Sequence, residues 1–113
     1  MIQTASTRWE AKRTDETRQV EEYLRNAGFD QVDAYRYNSA SIRVRVIDRR
    51  FEGLPVENRD AMVEPHLKAL PERTRADIMT LFTFDPAELR EPSTNLREFM
   101  MNAEFDDPSP TML

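Results

Sequence analysis

Residues 41–47 constrain this chain more than any other stretch. Ile42, Val44 and Val46 alternate there with Ser41, Arg43 and Arg45. A period of two is the signature of a strand with one dry face and one polar face. The segment before it, residues 31–37, also reads as a strand, with Asn38-Ser39 as the short hairpin turn between them. In that first strand Tyr35 and Tyr37 share one face while Val32 and Ala34 share the other, and the pattern alone leaves open which is buried.

Helical spacing brackets the hairpin. Over residues 14–28, Val20, Tyr23, Leu24 and Ala27 fall on one face. Thr14 is placed as N-cap, Asp15 and Glu16 suit the positive helix start, and Gly28 sits where a Schellman end would place Phe29 back on the helix. After the loop 48–55, Pro55 opens a second helix that carries Val56, Arg59, Asp60, Val63, Leu67 and Leu70 to residue 70. Pro65 falls inside it and is expected to bend or split it. Residues 76–84 are apolar on both faces, as for a strand covered on both sides, and Asp85-Pro86 closes them.

The remainder is weakly patterned. Residues 86–91 suit one helical turn, and Ser93 or Thr94 could cap a short helix through Leu96, Phe99 and Met100. Residues 102–113 read as an acidic, proline-punctuated tail. The apolar cluster of Phe99, Met100, Met101 and Phe105 around its start either packs back on the domain or docks elsewhere. Thr111-Met112-Leu113 superficially matches a C-terminal PDZ ligand. Residues 1–13 read as a flexible arm whose one aromatic, Trp9, either docks on the core or serves as a sticky contact. No internal repeat and no second domain is evident.

The element order is thus α-β-β-α-β with a weak C-terminal helix. A strand–helix–strand crossover makes its two strands parallel when they are neighbours. The expected class is α+β: a small mixed three-stranded sheet with helices on one face. The chain divides into an arm (1–13), an α/β domain (14–85), and a short helix with an acidic tail (86–113).

Catalytic chemistry finds little to work with. There is no cysteine, so disulfides, thiolate metal sites and cysteine nucleophiles are excluded. His66 is the one histidine, and Gly28 and Gly53 are the only glycines, too few for a phosphate-cradling loop. Asp77, Asp85 and neighbouring glutamates show no spacing that singles out an acid–base pair. The expectation is a non-enzyme with no cofactor and no metal. No apolar run is long enough to span a bilayer, and the first residues lack the apolar core of a secretory signal, so a cytoplasmic location is expected.

Charge gives the best candidate site. Residues 36–50 hold five arginines against Asp48, a net charge of +4, whereas residues 85–107 hold seven acids against Arg90 and Arg97, a net of −5. Arg43, Arg45, Arg49 and Arg50, flanked by Tyr35 and Tyr37, form either a solvated face protected from edge pairing or a basic patch for a partner, unless the acidic 85–107 segment lies over them and satisfies them internally. The chain's overall charge of −5 favours a protein partner over nucleic acid.

The stretch from Ser41 to Val63 resembles the BolA-like proteins: an apolar strand, the loop Phe51-Glu52-Gly53, then a helix with Arg59 six residues after the glycine. The resemblance implies a KH-like α-β-β-α-β fold over roughly residues 14–85 and adds Arg59 to the candidate partner-binding residues. It also implies a histidine after that arginine, a ligand to an iron–sulfur cluster shared with a monothiol glutaredoxin. This chain has Asp60 there, with His66 nearly two turns away. A carboxylate is a harder ligand than imidazole, so the fold is expected to carry over without the metal chemistry. The leading expectation is a non-enzymatic, BolA-like protein-interaction or regulatory domain. The alternative is a KH-like nucleic-acid binder using the Arg43/Arg45/Arg49/Arg50 face.

Overall fold

The computed structural model describes residues 8–90 and 95–111. Its elements are α1 (Asp15–Asn26), β1 (Gln31–Asn38), β2 (Ser41–Ile47), α2 (Val56–Leu67), α3 (Glu72–Asp77), β3 (Ile78–Phe84), α4 (Pro86–Arg90) and α5 (Leu96–Asp106). The result is the expected α+β domain, with a three-stranded mixed sheet in the order β1-β2-β3. β1 pairs antiparallel with β2, and β3 runs parallel to β2 on the other side.

Local chemistry fixes α1 at both ends. Thr14 and Thr17 close a reciprocal capping box, each side chain accepting from the other's backbone N–H at 3.2 and 2.8 Å. At the far end Gly28 adopts φ 109°, a conformation costly for any residue with a Cβ. The Gly28 N–H donates to the Arg25 carbonyl and the Phe29 N–H to that of Leu24, which is the Schellman pattern, and Phe29 turns into the core beside Leu24.

Alternation sorts the sheet into two faces. Val32, Ala34, Ile42, Val44 and Val46 pack under α1 and α2 with Val20, Leu24, Phe51, Val63 and Leu67. Tyr35, Phe82 and Phe84 point the other way and build a second core with Trp9 and Phe105. This second core corrects two expectations. Residues 8–12 are not a flexible arm but a 3-10 turn whose Trp9 is buried, with Tyr35 and Phe105 at ring-centroid distances of 6.1 and 5.5 Å. Residues 102–106 are not tail but the second half of α5, which lays Phe105 on the sheet face opposite α1 and α2. Asn95, rather than Ser93 or Thr94, caps α5, accepting from the Glu98 N–H at 3.3 Å. Ser93, Thr94, residues 1–7 and the last two residues lie outside the described part of the chain.

Other boundaries shift for clear reasons. α2 continues through Pro65, which gives up the bond to the Ala61 carbonyl and crowds it, and the helix stops two residues later at Leu67. Residues 72–77 form α3, so β3 begins at Ile78 rather than at residue 76. The outer edge of β1 is closed by α1: buried Glu21 accepts from the Ala34 N–H at 2.9 Å, and Arg25 donates to the Val32 carbonyl at 3.1 Å.

Trp9 is the single tryptophan, so its fluorescence reports the second core. Its emission is expected to be blue-shifted and poorly quenched by acrylamide in the folded chain. Phe105→Ala empties a fully buried site beside it and is expected to cost about 3–5 kcal/mol in urea unfolding, with a red shift of the residual native emission. Emission insensitive to this substitution would contradict the docking of the arm.

Candidate functional site

Arg43 and Arg45 stand on β2 opposite the face covered by α1 and α2. Alternation alone turns them toward solvent, with the acidic 85–107 segment as the candidate to cover them. The structure takes the second course: α5 lies over them, and Arg45 is only 6% exposed. Its Nε and Nη2 donate to Asp33 Oδ2 at 3.1 and 2.7 Å, Asp33 being its direct cross-strand partner. Its Nη1 donates to Asn102 Oδ1 and Asp106 Oδ1, both at 2.6 Å. These two acceptors are four residues apart and so share one face of α5. The guanidinium also lies 4.3 Å from the Phe105 ring centroid.

Arg43 is held in the same way. Its Nη1 donates to the Tyr35 hydroxyl and to Glu104 Oε2, each at 3.1 Å, and its guanidinium stacks 3.7 Å from the Tyr37 ring centroid. The chain beyond α5 then folds back: the Tyr37 hydroxyl donates to the Ser109 carbonyl at 2.8 Å, and Asn38 donates to the Thr111 hydroxyl at 3.1 Å. Burial alone would raise the Glu104 carboxyl. The Ser109 amide and hydroxyl, with Arg43, outweigh it and hold the group below its ordinary value. Burial pushes the Tyr35 hydroxyl up despite the opposing pull of Arg43.

Arg49 and Arg50 belong to a different neighbourhood. Arg50 pairs with buried Asp48 through Nε at 2.9 Å and Nη2 at 2.8 Å, and donates to the Gly28 carbonyl at 3.2 Å. Asp48 also accepts the N–H groups of Asp30 and Arg50. Burial opposes its ionisation, but these donors win and its pKa is lowered. Arg49 is the most exposed of the four, at 84%, with Asp30 at 3.8 Å. It borders a small cleft of about 120 Å³ with Glu52, Asp85 and Arg90.

Arg59 is not at the surface either. Its Nε donates to the Leu54 carbonyl at 2.8 Å, Nη1 to the Thr83 carbonyl at 3.1 Å, and both terminal nitrogens to Glu88 at 2.8 and 3.1 Å. This fork ties α2 to the end of β3 and to α4. The candidates therefore divide: Tyr35, Tyr37, Arg43 and Arg45 meet beneath α5, Arg49 and Arg50 flank the 48–51 loop, and Arg59 is a buried staple.

Asp60 is half-buried and accepts from the Thr83 hydroxyl at 3.3 Å. His66, on the same helix, packs edge-on to Phe29 at 5.5 Å. Among the described residues, no group of three or more potential ligand side chains is placed to hold a metal, and no helix is long and apolar enough to cross a membrane.

One surface stands apart. Leu96 and Met100 on the outer side of α5 are 61% and 60% exposed. With Arg97, Met101 and Glu104 they line a shallow, nearly wholly apolar concavity of about 480 Å³. The sequence offered only the methionine-rich cluster as a signal for it.

Removing the Arg45 guanidinium strands Asp33 in a buried position. Arg45→Ala is expected to cost about 3–5 kcal/mol in urea unfolding, while Arg49→Ala leaves the midpoint unchanged. Equal effects would show that Arg45 is not the buried one. Asp60 gives a pH signature. Burial above all raises its carboxyl, with Glu64 and Glu57 adding to the shift and the Thr83 hydroxyl and Arg59 opposing it. Between the unfolded value near 3.9 and the raised one, the folded state holds more proton, so stability falls as pH rises through that window. Asp60→Asn is therefore expected to gain on wild type in thermal midpoint from pH 3 to pH 7, as read by circular dichroism. A constant difference would contradict the shift.

No protein-family model matches this chain, and no curated protein or solved structure gives a significant match.

Proposed function

We propose that this chain is a non-catalytic, BolA-like protein-interaction domain without iron–sulfur ligation, and that it engages a partner helix through the outer face of α5. The observation that carries this reading is a contrast within one helix. Glu104 and Asp106 of α5 are turned onto Arg43 and Arg45, while Leu96 and Met100 are left in water one turn apart. A methionine-lined apolar trough of this kind suits the apolar ridge of an amphipathic helix. Arg97 and Glu104 border it, so the fitting helix carries an acidic residue near one end of its apolar ridge and a basic residue near the other.

The alternative, a KH-like nucleic-acid binder, loses support at the same place. Two of its four arginines already have carboxylate partners under an acidic helix. A metal-dependent role gains none. The position that carries imidazole in the resembled family is Asp60, its carboxylate is bonded to Thr83, and the chain has no thiol. The donor set does not fit an iron–sulfur cluster.

The test uses site-specific photocrosslinking. The full chain, expressed in its native host, carries a benzophenone amino acid at position 100 or, as control, at exposed Arg18. The reading expects position-100 crosslinks that map to a helix with apolar residues spaced three and four apart and charges of opposite sign at its ends. Crosslinks no more frequent than at position 18, or directed to RNA, would overturn it. In parallel, the anisotropy of a labelled single-stranded RNA at low salt is expected to stay flat. Binding that falls steeply with salt would favour the alternative.

A further inference from the structure

We infer that the helix fitting the α5 trough is α5 itself, so that two copies of the chain associate as an antiparallel α5–α5 pair. This rests on the interaction reading above and names its partner. The trough is self-complementary. Arg97 and Glu104 lie seven residues apart and on the same side of α5, since both line the one concavity. They sit symmetrically about the midpoint between Met100 and Met101. A two-fold axis through that midpoint, perpendicular to the helix, sets Arg97 of each copy opposite Glu104 of the other and brings the methionines together between them. Both charge pairs form at once, as an isologous interface requires. The parallel arrangement would instead place arginine beside arginine and glutamate beside glutamate.

The side chains have capacity for this contact. Arg97 is 75% exposed and has an intrachain ion pair with Glu98 through Nη1 at 3.3 Å, which leaves its other donors for a partner. Glu104 accepts from Arg43 and Ser109, but a carboxylate has about four lone-pair sites and this one is still a third exposed. Its ionised state, favoured by those same donors, is the one that receives a second arginine. The apolar part is small. Two helices meeting along one strip bury less than the roughly 800 Å² per partner of a standard interface. The dimer is therefore reversible, with micromolar rather than nanomolar affinity.

Sedimentation equilibrium of the full chain, from low micromolar to near-millimolar concentration, tests it. The wild-type weight-average mass is expected to rise from monomer toward twice that value. Met100→Glu and Arg97→Glu, both at exposed positions, are expected to stay monomeric while keeping the buried Trp9 emission that reports the fold. Glu104→Lys gives up the Arg43 contact, so it is used only where it too keeps the buried Trp9 emission. It is expected to stay monomeric alone yet to form a dimer when mixed with Arg97→Glu, because only that mixture restores both opposite-charge pairs. A wild-type chain that stays monomeric throughout, a Met100→Glu chain that still dimerises, or a mixture no heavier than its components overturns the inference. A monomeric wild type whose position 100 still crosslinks to a helix of another protein removes the self-partner and leaves the interaction reading standing. Absence of both dimer and crosslink removes both.

Discussion

A buried guanidinium must find its acceptors before the surface around it can become dry. In this domain that requirement falls on Arg45. The hairpin supplies one acceptor through register alone, since Asp33 stands directly across from it. The rest come from Asn102 and Asp106, more than fifty residues later in sequence. Without them the outer sheet face would be a wet face, as its alternation suggests. With them, Tyr35, Phe82, Phe84, Trp9 and Phe105 can close into a second core. The net value of such a pair is small compared with well-packed apolar residues, but its loss is expensive. It therefore acts less as a source of stability than as a condition on where α5 can lie.

Arg59 plays the equivalent part on the other side of the sheet. It reaches from the first half of α2 to the Leu54 and Thr83 carbonyls and clamps Glu88 with both terminal nitrogens. Burial opposes the Glu88 charge, yet Arg59 and the Asp85 N–H more than compensate and lower its pKa. Asp85 in turn caps α4 through the Ala87 and Glu88 amides. Each arginine thus fixes the position of a helix that packing alone would leave loosely specified, and each does so with acceptors distant in sequence. The basic 36–50 and acidic 85–107 segments meet directly at two pairs, Arg43 with Glu104 and Arg45 with Asp106.

This explains what could be read from the sequence and what could not. α1, both hairpin strands and the parallel third strand obey local rules: a cap at Thr14, a stop at Gly28, a period of two through Val44. α5 does not, because much of its pattern is inverted. Its inward positions are Glu98, Met101, Asn102, Phe105 and Asp106, mostly polar, and its outward ones include Leu96 and Met100. A rule that seeks apolar residues on the buried side reads such a segment as an acidic tail. The setting of the candidate arginines was out of reach for the same reason. Arg43, Arg45 and Arg59 look like surface charge until their acceptors are known, and those acceptors are set by tertiary structure rather than by spacing.

The inversion also bears on what the domain can bind. A helix attached through its apolar stripe shows water a polar back, and nothing is left over for recognition. α5 is attached through Phe105, with Met101 beside it, and a set of partly buried ion pairs, so Leu96 and Met100 have no place in the core. Partly buried pairs are screened by salt less than surface ones, so the attachment does not depend on low ionic strength. The same pairing that takes the arginines away from an outside polyanion turns Leu96 and Met100 toward solvent. One set of contacts therefore argues against one function and for the other: what the basic strand gives up in capacity for phosphate, the helix above it gains as an apolar surface with opposite charges at its two ends.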